Sequence, residues 1–406
     1  MNTALEGIRI LDLSRILAGP WCTQNLADLG ADVIKVESPW GGDDSRDWGP
    51  HYLEVADGEE RLSAYFLSCN RGKRSIAIDF SRPEGAEVVR RLARQADVVI
   101  ENYKSGSLAR HGLDYESLSD GNPGLIYVSI TGFGQTGPMA GRPGYDYIFQ
   151  GFGGLMSYTG HPDGEPGAGP LRTGASIIDL STGMYATAAV LAALIERART
   201  GSGRYVDLAL SDVAIAINAN HNLGYLISGR VPERMGNTHA NLAPYEVFAC
   251  ADGYLILAIG NDQQFTRFCA LAGEPGLASD ARFASNEQRL RNRPALREAV
   301  AVLLARKTRS AWKEVLDGAG IPWGPINTLQ QAFDDVQARH RLVRQTLRHP
   351  RAGDIPCVRN PLLAGDVSAG RAPPMLGEHT SEILSELRFD KARIDALKNA
   401  GIVAGD

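Results

Sequence analysis

Cysteine is scarce in this 406-residue chain: five residues, at 22, 69, 250, 269 and 357, form no C-x-x-C pair and no metal-ligand spacing. Thiols so few and so far apart argue against a disulfide-stapled secreted domain and imply a reducing, cytoplasmic setting. Histidine is thin as well. Its eight residues are scattered with no H-E-x-x-H pattern, which leaves a histidine metal site unsupported. A surplus of positive charge is also missing. With 42 basic against 47 acidic residues, the net charge of −5 provides no global field to hold nucleic acid. The longest uncharged run in the helical middle, over 180–195, contains Ser, Thr and Gly. It falls short of the roughly 20 apolar residues a membrane span needs and reads as a buried core helix. Residues 1–13 place Glu6, Arg9 and Asp12 in an alternating stretch, unlike a signal peptide, so no membrane partner is expected. Walker loops and G-x-S-x-G elbows are absent.

What the chain does hold is an ordinary globular balance, 44% hydrophobic and 22% charged, able to bury a large core. Its length suggests two to three domains at about 150 residues each. Glycine (45) and proline (21) are abundant, implying many tight turns and places where a ligand meets backbone. Strand-like runs at 8–13, 32–36, 75–79, 98–100 and 125–130 alternate with helical patterns at 21–29 and beyond 83. That alternation predicts an α/β fold with a doubly wound, mainly parallel sheet. At 81–84 (SRPE), Ser81 and Glu84 make a capping box around Pro83. A helix over 181–199 and a strand over 205–210 follow the glycine-rich segment 132–169. After Gly229 the texture changes, with strands near 241–248 and 254–259 and helices near 263–271, 289–306 and 308–318. The domain reading is 1–225 for a large domain, 226–342 for a small one, and 343–406 for a connector and return. A last helix lies at 381–387.

Residues 132–137 (GFGQTG) match G-x-G-x-x-G after a strand. A dinucleotide site needs a helix to start there, and Pro138, Gly141 and Pro143 forbid one, so this is a glycine loop beside a ligand. Asp179, in 173–183 (TGASIIDLSTG), is the acidic residue of choice. It reads both as a helix N-cap and as an ionised, partly desolvated nucleophile. Residues 70–74 (NRGKR) form either a solvated basic turn or an anion site. Asn102, Tyr103, Lys104 and Arg110 follow the strand at 98–100, where open sheets bind ligands.

Taken in order, 11–20 (LDLSRILAGP), 29–37 (LGADVIKVE), 42–46 (GDDSR), 70–75 (NRGKRS), 101–103 (ENY) and 129–138 (SITGFGQTGP) resemble the class III CoA-transferases. This is the family of formyl-CoA:oxalate and carnitine CoA-transferases, with α-methylacyl-CoA racemases as relatives. The likeness continues through 199–203 (RTGSG), 260–265 (GNDQQF), 320–327 (GIPWGPIN) and 374–380 (PMLGEHT). It implies a Rossmann-like large domain built from both chain ends, an inserted smaller α/β domain and an interlocked homodimer. It further implies Asp179 as the catalytic aspartate. Leu17, Ala18, Ile78, Asn102, Tyr103, Lys104, Arg110, Tyr145 and Asp146 would hold CoA, which enters as a thioester substrate with no permanent cofactor. Two departures stand out: Ser38 replaces an arginine of the formyl-CoA transferases, and 258–263 (AIGNDQ) replaces their glycine-rich flap.

The activity so implied is transfer of CoA from an acyl-CoA to a free carboxylic acid, through aspartyl anhydride and aspartyl thioester intermediates. The texture of 260–264 and 324–327 is most similar to the dicarboxylate branch, which includes succinyl-CoA:glutarate CoA-transferases. A dicarboxylate needs a cation for its far end, and Arg46, Arg71 and Arg142 are the candidates, with Arg172 a fourth. A racemase is the alternative, but Gly144-Tyr145-Asp146 puts a tyrosine where racemases carry a histidine base. A non-catalytic CoA-binding protein is the other.

Overall fold

The computed structural model describes residues 4–55, 61–363 and 370–406. The chain divides into a larger unit (1–155, 172–230 and 336–406) and a smaller one (156–171 and 231–335). Residues 156–171, assigned above to the large domain, therefore group with the smaller unit.

The larger unit is organised by a seven-stranded sheet. Its strands are β1 (Arg9–Asp12), β2 (Asp32–Glu37), β3 (Lys73–Ile78), β4 (Val98–Glu101), β5 (Ile126–Thr131), β6 (Arg204–Ala209) and β7 (Val403–Ala404). They lie in the order β6-β5-β4-β1-β2-β3-β7, parallel except for β7, which pairs antiparallel with β3. The main helices are α1 (Ala18–Asp28), α2 (Pro83–Gln95), α3 (Asp146–Phe152), α4 (Ile177–Thr200), α5 (Leu210–Ala216), α6 (Thr380–Glu386) and α7 (Lys391–Asn399). Neighbouring strand residues point to opposite faces. Ile10, Val33 and Val98 accordingly pack with Cys22, Leu26, Ala186 and Val190 of α1 and α4. Leu11, Ile34 and Val99 pack on the other side with Val88, Leu92, Ile383 and Leu397. The sheet is covered on both faces, as continuous parallel strands require.

Strand order reverses beside β1: β2 lies on one side of it and β4 on the other. The loops leaving β1 and β4 diverge there and open a crevice at the strands' carboxyl ends.

Several local expectations change in the folded chain. The Ser81 hydroxyl bonds Asp79 Oδ1 at 2.5 Å instead of closing a capping box, so α2 starts on Pro83 without a side-chain cap. The connector over 343–374 includes a hairpin, Arg344–His349 paired with Gly353–Val358; 364–369 lie outside the described residues. The chain end forms α7 and the edge strand β7, which complete the sheet. Helix α4 is only half a core helix. Ile178, Ala186, Val190 and Ala193 are buried, whereas Met184, Tyr185 and Ile195 face outward.

In the smaller unit, Tyr245–Cys250, Gly253–Ala258 and Trp323–Pro325 form an antiparallel sheet. Phe248, Phe265, Phe268 and Trp312 fill its core. The helix expected over 289–306 breaks at Asn292 into Asn286–Arg291 and Arg293–Leu304, because Pro294 can occupy only a first turn.

Candidate active site

The loop after β1 forms one wall of the crevice, and buried charge fixes its shape. Lys35 on β2 pairs with Asp43 at 2.9 Å, both side chains fully buried, and donates to Ser14 O at 2.8 Å. The Asp43 carboxylate also accepts the Ile16 N–H at 3.1 and 3.2 Å. Burial alone would push the Asp43 carboxyl up, but Lys35 and the Ser45 donors outweigh it and hold it far below the usual range. Ile16 sits at φ +71°, a left-handed conformation that costs a β-branched residue about 1–3 kcal/mol. Asp43 imposes that geometry, and the chain then turns straight into α1. No side chain caps α1, and no acidic residue lies in its first turn. The leading N–H groups at Ala18 and Gly19 thus present positive dipole at the crevice.

The loop after β4 is tied to the first by one amide. Asn102 accepts from Arg15 N at 2.8 Å and donates to Arg15 O at 2.7 Å. The Arg15 guanidinium lies 4.9 Å over the Tyr103 ring. A cavity of about 240 Å³ opens here, lined by Leu17, Ala18, Asn102, Tyr103, Lys104, Arg142, Tyr145 and Asp179. Beside it, Arg15, Ser38, Ile78, Phe80 and Tyr103 line a second cavity of about 140 Å³. Arg15 and Tyr103 belong to both.

Asp179 enters from α4. It is the third residue of that helix, not its N-cap; Ser176 holds the cap position without a side-chain bond. The capping is done by Asp146 instead. One oxygen, Oδ1, accepts from Ile178 N at 2.7 Å and Asp179 N at 3.2 Å, while Oδ2 accepts from Gln150 Nε2 at 2.6 Å. Asp146 is thereby buried and fully engaged, not a lining group for a ligand. The helix terminus does not hold the Asp179 carboxyl in the ordinary low range. Burial, then the Asp146 charge, raises the Asp179 carboxyl to about 7.

Gly183, one turn after Asp179, sets the approach of α4 to α1. A Cβ there would lie 2.7 Å from Ala18 O and 3.1 Å from Trp21 Cβ. Residues i and i+4 share a helix face, so the same face carries Asp179 toward the start of α1. Gly183→Ala should force the helices apart, costing about 1–3 kcal/mol in denaturant unfolding. It should also depress activity beyond its effect on stability. Wild-type stability and turnover would contradict this account of the crossing.

The remaining expected site residues separate clearly. Arg110 is exposed, bonds Ser107 O at 3.0 Å and lines neither cavity. Arg46 is not a substrate group: both arms of its fork reach Glu37 at 2.7 Å, and it stacks 3.7 Å from the Phe66 ring centre. Arg71 is likewise committed to Asp28, at 3.0 and 2.6 Å. Residues 70–74 are neither a solvated turn nor an anion site. Arg71, Lys73 and Arg74 are buried and paired with Asp28, Asp12 and Asp32. Arg172 is exposed over Tyr147. Arg142 is the one of the three candidates on the Asp179 cavity.

Sequence reasoning missed Tyr65. Burial and then the Asp179 charge push its phenol above the ordinary range, with Ser176 acting in the opposite direction. It lies in a short helix, Ala64–Cys69, with Trp48 edge-on at 5.0 Å, and no motif marks it.

Comparison with known proteins gives a consistent result. The sequence family described as CoA-transferase family III matches residues 5–380. A succinate–glutarate CoA-transferase from Agrobacterium fabrum is 49% identical over 385 residues, covering 94% of this chain and 95% of its own. A succinyl-CoA:glutarate CoA-transferase from Homo sapiens is 40% identical over 404 residues, 98% of this chain and 90% of its own. A crystal structure of a CAIB/BAIF family protein from Brucella suis matches with a TM-score of 0.84 and 48% identity, covering 95% of this chain and 100% of that one.

Proposed function

We propose, because this chain belongs to CoA-transferase family III and is an enzyme, that it moves CoA from succinyl-CoA to glutarate through Asp179. The observation that carries this reading is the half-buried Asp179 carboxyl beside the uncapped start of α1, in a cavity at the sheet's switch point. A carboxylate raised to about 7 is ionised in an appreciable fraction near neutrality and is only weakly solvated. The ionised Asp179 oxygen attacks the succinyl thioester carbonyl, the C–S bond breaks, and a succinyl-aspartyl anhydride and CoA thiolate result. The thiolate attacks the aspartyl carbonyl and releases succinate, leaving an aspartyl-CoA thioester. A glutarate carboxylate attacks that thioester, the C–S bond breaks to give an aspartyl-glutaryl anhydride and CoA thiolate, and the thiolate attacks the glutaryl carbonyl, forming glutaryl-CoA and freeing the Asp179 carboxylate. The two halves mirror each other, so no net proton or electron is needed. Each tetrahedral oxyanion finds donors in the N–H groups at the start of α1.

Leu17, Ala18, Asn102, Tyr103, Lys104 and Tyr145 line the path for CoA, with Ile78 and Tyr103 at the adjoining cavity. Gly144-Tyr145-Asp146 supplies no imidazole, and Asp146 is spent on the α4 cap, which disfavours racemisation. The functional form is an interlocked homodimer in the cytoplasm. In support, the helix Asn220–Ser228 buries none of its residues, and Leu226 and Ile227 are 73% and 82% exposed. Met184, Tyr185 and Ile195 of α4 are exposed as well, and apolar surface of this kind is costly to leave in water. A donor–acceptor matrix read by mass spectrometry tests the substrates: succinyl-CoA with glutarate should give glutaryl-CoA, and its absence would overturn the assignment.

Arg142, which lines the Asp179 cavity, is our candidate to receive the distal carboxylate of glutarate. Its removal should raise the glutarate KM about 10- to 100-fold, equivalent to about 1.4–2.8 kcal/mol. Monocarboxylate acceptors of similar length should be nearly unaffected. Equal losses for both acceptor types would assign Arg142 to CoA or to the fold.

A further inference from the structure

We propose that Glu101 is a positioning residue for the CoA-binding loop, and that its ionised form holds this loop in the binding conformation. The proposal rests on the reading of the adjacent cavity as the CoA site. Glu101 ends β4, is 4% exposed, and plays no part in the transfer chemistry. Its Oε2 accepts the Tyr103 N–H at 2.7 Å, the length of a charge-assisted bond. Ser129 is its register partner on β5 and pulls the carboxyl's pKa down. The Ser129 hydroxyl takes Gln135 Nε2 at 2.7 Å, and Gln135 Oε1 takes the Ser105 hydroxyl at 2.7 Å. Ser129 and Gln135 thus tie β5 to the far end of the loop at Ser105, while Glu101 holds its near end at Tyr103. The residues of this loop are Asn102, Tyr103, Lys104 and Ser105, all of which line the Asp179 cavity. Since Asn102 also clips Arg15, the carboxyl of Glu101 indirectly sets the first loop too.

The surroundings of Glu101 make this hold sensitive to pH. Tyr127 on β5, Tyr205 on β6, and Lys104, Asp114 and Glu116 share a cavity with it, and Asp207 on β6 faces it. Burial raises the carboxyl to about 7; Ser129 and the Tyr103 N–H pull it down and Asp207 pushes it up. The anion is therefore present above neutrality and lost below it. A protonated carboxyl keeps the geometry but loses the charge assistance to Tyr103.

The test is CoA affinity by titration calorimetry from pH 5.5 to 8.5, with wild type and Glu101→Gln compared at each pH. Taking the ratio of dissociation constants cancels the titration of CoA's own phosphates and of Asp179. The ratio is expected near 1 at the acid end, where both side chains are neutral, and about 5 at the alkaline end, the worth of charge assistance in one hydrogen bond. Ser129→Ala leaves the carboxyl in place but removes a polar neighbour that pulls its pKa down, so the midpoint of its own CoA-affinity profile should move to higher pH. A ratio that does not vary with pH, or an unmoved midpoint, overturns the proposal while leaving the transferase reading intact. Wild type that binds no CoA at any pH overturns both.

Discussion

Asp179→Ala should reduce CoA exchange by about 10⁴-fold or more, the usual scale for loss of a covalent nucleophile. Folding and CoA binding should survive, because no hydrogen bond of the loop network depends on the Asp179 side chain. The neighbouring substitution Asp179→Asn adds a stability measurement of defined sign. The folded carboxyl is raised to about 7 from an ordinary 3.8. Its contribution to stability is therefore fully present below the unfolded value and is lost as pH rises through about 7. A carboxamide escapes that loss. The Asn variant should melt above wild type at pH 8, by up to about 2 kcal/mol after allowing for solvent screening. The difference should shrink toward pH 4. An Asn variant less stable than wild type at pH 8 would mean that the buried charge is compensated by a partner.

Asp146 carries the second large effect, because it serves two functions through one carboxylate. As the cap of α4 it satisfies two N–H groups and Gln150. Asp146→Ala leaves those donors stranded and should cost about 2–4 kcal/mol in unfolding free energy, with turnover falling as α4 loosens. As a negative charge, Asp146 helps raise Asp179, after burial. Asp146→Asn keeps an acceptor for the helix but removes the charge. In wild type, kcat/KM should rise with pH through about 7 as Asp179 ionises. In the Asn variant that rise should occur at lower pH. A limb that stays in place, or moves to higher pH, would contradict the coupling between the two carboxyls.

The helix that carries Asp179 was legible because its signals are local: aliphatics flank the aspartate and a long apolar stretch follows. The parallel strands were legible for the same reason, since period and turn chemistry are carried by neighbouring residues. The roles of the arginines were not. Arg46 finds Glu37 across a loop, and Arg71 finds Asp28 from another crossover. A glycine-containing segment looks the same whether its arginine faces a ligand or a buried carboxylate. Asp146 belongs with these cases, for its partners lie 32 and 33 residues away on α4. The hairpin over 344–358 escaped notice because its first strand is mostly polar and its second contains Pro356. The two residues of β7 are too few for any periodicity. In the case of Ser81, two good local signals competed, and the Asp79 side chain took the hydroxyl that the capping box required.

Covalent attachment of CoA to Asp179 is the central claim, and intact-protein mass spectrometry followed by peptide mapping tests it directly. Protein mixed with succinyl-CoA, without glutarate, and quenched in acid should gain the mass of CoA less one water. That mass should map to the peptide containing Asp179, disappear on addition of glutarate, and be absent in Asp179→Ala. Glutaryl-CoA formation with no adduct, or an adduct on a different residue, would contradict the account.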